Sequence, residues 1–245
     1  MIRRILMLAL MLLGGTAAAG EVQVAVAANF TGPMQKIARL FEERTGHRAL
    51  LAFGSVGKFH AQIINGAPFE VFVSADEETP LRLEQQGLAR PGTRFTYAYG
   101  RLVLWRPQPG PVDAAMLERG EFRHLAVSHP KLTVYGAAAH EVLRKLGLIE
   151  RLAPRLLQGE TITQAYQYVA SGNAELGFVA LSQVWQDGAL REGAVWIVPD
   201  SLCPPIRQDA VLLARGAANP AAAALLDFLR SREAQDVIRS HGYSL

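Results

Sequence analysis

Residues 21–46, EVQVAVAANFTGPMQKIARLFEERTG, pack a buried strand, a polar turn and an amphipathic helix into one short run. Val22, Val24 and Val26 form the β-branched strand, and Asn29 and Thr31 give the turn its polarity. The helix is expected to open at Pro33, with Thr31 as N-cap and Gly46 after the last turn. Met34, Ile37, Ala38 and Phe41 share one face of it, while Lys36, Arg39, Glu42, Glu43 and Arg44 stay in water. Such a helix packs on a sheet. Residues 49–64 repeat the order: a strand over 49–53, Ser55 at the turn and a helix to 64, closed by Gly66. Two helix N-termini fed by buried strands offer unpaired N–H groups and partial positive charge to one crevice. That arrangement grips an anion without a charged side chain, so the first expectation is an oxyanion-binding protein.

The rest of the chain keeps the alternation. A strand at 71–74 leads to a helix opened by Thr79-Pro80 and stopped near Gly87. Strands are expected at 100–105, 125–127, 175–180, 194–198 and 206–214, and helices at 136–146, 161–170, 221–230 and 233–240, with Asn219-Pro220 as a cap and first-turn proline. Short connections between alternating elements argue for α/β architecture with mainly parallel sheets. The strands at 100–105 and 206–214 are placed as outward and return crossings of a hinge. They divide the chain into a first lobe, 21–98 with 207–245, and a second, 99–206.

Residues 1–20 read as a cleavable secretory signal peptide: Arg3 and Arg4, an apolar run over 5–13, then Ala17-Ala18-Ala19, with cleavage after Ala19 or Gly20. No cysteine near that point could carry a lipid. Without Arg3 and Arg4 the chain has 23 basic against 22 acidic residues, a balance that gives no electrostatic case for nucleic acid or an anionic membrane. Any anion must be recognised locally. Cys203 is the single cysteine, so no internal disulfide forms and stability rests on the core.

Near-motifs are informative by failing. At Gly54-Ser55-Val56-Gly57-Lys58 a P-loop would need a glycine at Ala52 and a hydroxyl at Phe59, and a nucleophile elbow would need a glycine at Phe53. Ser55 is then an anion donor or a plain N-cap. His47, His60, His124, His129, His140 and His241 show no metal-ligand spacing. Asp209, inside an apolar run, reads first as a structural hydrogen-bond acceptor near the hinge. Tyr135 and Ile162, each at a helix start, read either as packing residues or as backbone N–H donors.

The order of VAVAANFTGPMQKIARLFEERTG, FGSVGKFHAQIINGAPFEVFVSAD, VSHPKLTVYGAAAHEVLRKLG, SGNAELGFVALSQV and IRQDAVLLARG resembles the periplasmic molybdate-binding proteins of ABC importers over essentially the whole mature chain. The resemblance implies a type II solute-binding fold of two α/β lobes joined by two crossing strands. It also implies a monomeric, non-catalytic protein of the periplasm that holds molybdate or tungstate as an oxyanion in the cleft, without a metal cation or other cofactor, and presents it to a membrane permease. By position it assigns the ligand to Asn29 (through backbone and side chain), Ser55, and the backbone N–H groups of Tyr135 and Ile162. Asn29 stands where many members have serine. Ala180 stands where some members add a tyrosine hydroxyl, and Tyr135 or Asn29 are the candidates to replace it. The alternatives are another oxyanion such as sulfate, a ferric-ion carrier, which the turns supply too few tyrosines and carboxylates to support, and an exported hydrolase, for which no nucleophile–base pair is visible.

Overall fold

The computed structural model describes residues 19–245, so all but the last two positions of the expected signal peptide lie outside the described residues. Among the described residues no helix is long and apolar enough to cross a membrane. β1 (Glu21–Ala27) pairs in parallel with β2 (Arg48–Gly54) on one side and with β3 (Val71–Val73) on the other. Its side chains alternate between two buried faces. Val22, Val24 and Val26 join the cluster of Met34, Ile37 and Phe41 from α1 (Thr31–Thr45), whereas Ala25 and Ala27 join that of Phe59 and Ile63 from α2 (Val56–Ile64). Burial on both faces explains a strand with almost no polar alternation.

The start of α1 differs from the expectation. A single 3-10 turn, Ala28–Phe30, runs directly into the helix, Thr31 is already its first residue, and the Thr31 hydroxyl donates back to Ala28 O at 2.8 Å. Thr31 therefore closes the turn and does not cap the helix, because its oxygen is on the carbonyl side of the junction.

The chain continues through α3 (Glu78–Gln85) and β4 (Phe95–Gly100), then enters the second sheet at β5 (Leu102–Arg106). There follow α4 (Ala114–Arg119), β6 (Leu125–Ser128), α5 (Val134–Lys145), α6 (Ile149–Leu152), β7 (Leu156–Gly159), α7 (Ile162–Ala170), β8 (Leu176–Ala180), α8 (Leu181–Val184), the hairpin β9 (Trp185–Gln186) and β10 (Ala189–Leu190), and β11 (Ala194–Ile197). β12 (Ile206–Leu212) returns to the first sheet, and α9 (Pro220–Phe228) and α10 (Arg232–Ser240) add to the cluster beneath α1. The segments β4, α4, α6, β7, α8 and β9–β10 have no counterpart in the sequence reading, most being too short to show a period.

The two sheets share a plan. Their orders are β2-β1-β3-β12-β4 and β7-β6-β8-β5-β11. In each, four strands run one way and the fourth in the order runs against them, β12 in the first sheet and β5 in the second. That opposed strand is the one the chain makes on arriving from the other sheet. The result is the two-lobed, mainly parallel α/β fold that the resemblance implies. Tyr99, Gly100 and Ile206, which the sequence reading put in the second lobe, pair within the first sheet, Gly100 opposite Ile206 and Tyr99 opposite Arg207. The β4–β12 ladder joins the last residue of β4 to the first of β12, so the sheets part at Arg101.

Candidate functional site

Loops from the carboxyl ends of parallel strands of both sheets meet around a small cavity. Ala27, Ala28 and Asn29 reach it from β1, Gly54, Ser55 and Val56 from β2, and Ala75 from beyond β3; Thr133, Val134, Tyr135 and Ile162 come from the second lobe. All four sequence-expected residues, Asn29, Ser55, Tyr135 and Ile162, line this one space, and no charged side chain does. A wider opening beside it, about 490 Å³, carries charges of both signs, including Asp76, Glu77, Arg82, Lys131 and Arg207, and holds none of the four. Mixed charges offer a dianion no net attraction, so the smaller, neutral cavity is the better candidate.

Each wall is built from local rules. Ser55 has the extended backbone of an N-cap, yet its side chain makes no capping bond. Its hydroxyl is buried and is one of three buried side-chain polar atoms without a hydrogen-bond partner among the described residues. The plain N-cap reading therefore does not describe it. In the second lobe the caps are ordinary: Thr133 Oγ1 accepts from Gly136 N at 2.9 Å and Thr161 Oγ1 from Gln164 N at 3.1 Å. Each cap serves the third amide of its helix and leaves the first two open. Neither the Tyr135 N–H nor the Ile162 N–H has a hydrogen-bond partner among the described residues. Gly136 lets α5 start this close to the sheet, since a Cβ there would lie 2.4 Å from Ser128 O and 2.7 Å from His129 O.

Asn29 differs from the expectation in its side chain. Its Nδ2 donates to Gln208 Oε1 and to Tyr243 OH, both at 2.9 Å. Both amide hydrogens are thus directed at protein acceptors, and what Asn29 can still offer the cavity as a donor is its backbone N–H. The sequence reading missed Gln208, Tyr243 and Ser182, which hold Asn29 in place. Ser182 Oγ and Tyr243 OH donate to Asn29 O at 2.8 and 3.0 Å. The one available signal was polar Gln208 beside Asp209 in an otherwise apolar strand. Burial pushes the Tyr97, Tyr135 and Tyr243 hydroxyls above the ordinary tyrosine range, so they stay neutral donors and acceptors. Ala180 is fully buried at the end of β8 and does not line the cavity.

The lobes touch across the site. Gly57 N–H donates to Leu132 O at 3.1 Å, Thr163 Oγ1 to Ala28 O at 3.3 Å, and Lys58 Nζ to Glu160 Oε2 at 2.5 Å. Asp209 is completely buried and accepts from Arg94 Nη1 at 2.5 Å and Thr96 Oγ1 at 2.8 Å, away from the cavity lining. It is a structural acceptor. Among the described residues no three of His, Cys, Asp and Glu come together as a metal site would require.

Comparison with known proteins bears on the family and the fold. The family described as bacterial extracellular solute-binding protein matches residues 22–244. The molybdate-binding protein ModA of Azotobacter vinelandii is 56% identical over 236 residues, covering 96% of this chain and 94% of that protein. The ModA of Rhodobacter capsulatus is 52% identical over 230 residues, covering 93% and 89%. Among solved structures, an Azotobacter vinelandii periplasmic molybdate-binding protein superposes with a TM-score of 0.88 at 41% identity, covering 91% of this chain and 99% of that one. The Mycobacterium tuberculosis sulfate-binding protein SubI, at 14% identity and a TM-score of 0.72 (91% of this chain, 86% of that one), shares the fold alone. On a match that spans nearly the whole chain, and on relatives identical at more than half of the aligned positions, this chain belongs to the bacterial extracellular solute-binding protein family.

Proposed function

We propose that this protein captures molybdate or tungstate between its lobes and delivers it to an ABC import permease, acting in the periplasm as a monomeric binding protein and not as an enzyme. One observation carries the reading: a neutral cavity between the lobes into which the turns at Asn29, Ser55, Tyr135 and Ile162 converge, with a buried Ser55 hydroxyl that has no partner among the described residues. A dianion entering it loses hydration, and neutral donors fixed by the fold replace that water without a buried countercharge. The proposed contacts are the backbone N–H groups of Asn29, Tyr135 and Ile162 and the Ser55 hydroxyl. The lobes meet this site through the two crossings, one at Arg101 and one between β11 and β12.

A site made of donors also selects. A protonated anion such as hydrogen phosphate brings an O–H that finds no acceptor, a mismatch costing about 1 to 3 kcal/mol. Sulfate is fully ionised, so only size separates it from molybdate. Hydrolysis would need a base in hydrogen-bond reach of Ser55, and the Ser55 hydroxyl has no partner among the described residues.

Thermal unfolding of the purified protein with molybdate, tungstate, sulfate, phosphate and ferric ion tests the reading. A ligand at 100 times its Kd adds about 2.7 kcal/mol to stability, so molybdate and tungstate are expected to raise Tm by several degrees. A rise with sulfate or ferric ion and none with molybdate keeps the fold and overturns the ligand.

A further inference from the structure

The cavity explains which backbone groups reach an anion but not what keeps the donors of the two lobes at a fixed separation. Gln208 supplies a candidate cause. It lies on β12, is completely buried, and does not line the cavity. The β4–β12 register shifts beside it: Gln208 pairs with Ala98 and Asp209 with Thr96, which leaves Tyr97 as the extra residue. Gln208 Oε1 then accepts from Tyr97 OH and from Asn29 Nδ2, each at 2.9 Å, and Gln208 Nε2 donates to Tyr135 OH at 3.0 Å. Asn29 and Gln208 belong to the first lobe and Tyr135 to the second. The hydroxyl passes close to the backbone of the outward crossing, because a Cβ on Gly100 would stand 2.1 Å from Tyr135 OH and 2.4 Å from Gln208 Nε2.

Resting on the molybdate reading of the cavity, we propose that Gln208 is a positioning residue that sets how long the anion is held. Its carboxamide fastens Tyr135 of one lobe to Asn29 of the other without touching the ligand. Both tethered residues turn their backbone N–H groups to the cavity, so the bond that keeps the lobes together also keeps donors from the two sides at the right separation. Opening breaks the Gln208–Tyr135 bond, which makes it a resistance to release and not to entry.

The test is stopped-flow measurement of sodium molybdate association and dissociation with the mature protein, wild type, Tyr135→Phe, Gln208→Leu and the double variant. Tyr135→Phe keeps the ring and the backbone N–H and deletes only the hydroxyl. It is expected to speed dissociation about tenfold with little change in association, the effect of one net hydrogen bond. In the Gln208→Leu background the same change is expected to have almost no further effect, because its partner is already gone. A Tyr135→Phe protein that releases molybdate at the wild-type rate overturns the proposal, as does an effect that adds in full to that of Gln208→Leu. An effect confined to Tm, with both rate constants intact, makes the contact purely structural and overturns it too. If Gln208→Leu does not fold, the Tyr135→Phe dissociation rate still decides. If the wild-type protein binds no molybdate, the reading of the cavity itself fails and this proposal falls with it; normal wild-type binding with an unaltered Tyr135→Phe removes this proposal alone.

Discussion

Ser55 is a small residue with one task, and the burial of its hydroxyl fixes the sign of any change there. On the proposed reading, replacing it with alanine removes a donor to a charged ligand while leaving the free protein almost untouched, because that hydroxyl has no partner among the described residues to lose. Ser55→Ala is therefore expected to weaken molybdate binding by about 1.5 to 3 kcal/mol in a calorimetric titration, with an unchanged ligand-free Tm. Asp209 behaves in the opposite way. It is fully buried against Arg94 and Thr96, so Asp209→Ala removes the acceptor of both, leaving Arg94 with Glu84 alone, and is expected to cost about 1 to 3 kcal/mol of stability by urea unfolding. The structural role of Asp209 was legible in the sequence as a polar residue inside an apolar strand, and the place of Ser55 at the cavity as a hydroxyl at a strand–helix turn. The state of the Asn29 side chain was not. Its partners Gln208 and Tyr243 lie 179 and 214 residues away, and no local pattern announces contacts of that range.

Among the elements, those long enough to display a period were readable, and those shaped by an encounter were not. The two-sided burial of β1, the stripe on α1 and the capped starts of α7 and α9 follow from spacing and cap chemistry alone. The 3-10 turn before α1 does not, because it forms where three lobe-bridging side chains hold Asn29. The register shift between β4 and β12 is likewise invisible in sequence, yet it turns Gln208 toward Tyr135. Gly100 marks the same encounter from the other strand. Gly100→Ala would drive a methyl group into the Tyr135 hydroxyl and the Gln208 amide, and is expected to cost about 1 to 3 kcal/mol of closed-form stability. Small-angle scattering with saturating molybdate should then show a larger radius of gyration than for the wild type; an identical radius would mean that the crossing absorbs the methyl group elsewhere.

For the molecule as a whole, closure is the quantity that links these parts, since bringing the lobes together supplies donors from both sides at once. The Lys58–Glu160 pair at the rim gives closure a pH dependence of known sign. Its hydrogen bond to Lys58, with the charge behind it, holds the Glu160 carboxyl below its ordinary range. A depressed carboxylate contributes fully above its ordinary pKa and loses that contribution as pH falls through the lowered value. Glu160→Gln is accordingly expected to release molybdate faster than wild type at about pH 7, by a margin that shrinks as pH falls below the ordinary carboxylate range. Comparing the two proteins at each pH cancels the protonation of the anion itself, and a ratio that stays constant across the range would remove the pair from closure.

The placing of β12 between β3 and β4 also dictates an order of assembly. Every strand of the second sheet comes from one continuous stretch of chain, from β5 to β11, whereas the first sheet has a gap between β3 and β4 that only a segment made after that whole stretch can fill. The lobe whose synthesis begins first is thus completed last. Until β12 arrives, β3 and β4 present unpaired edges, and the turns that carry Asn29 and Ser55 stand on an unfinished support. Amide protection during refolding should appear in β6, β7 and β8 before it appears in β3 and β4. The lobe that carries Asn29 and Ser55 becomes rigid only once nearly all of the chain is present.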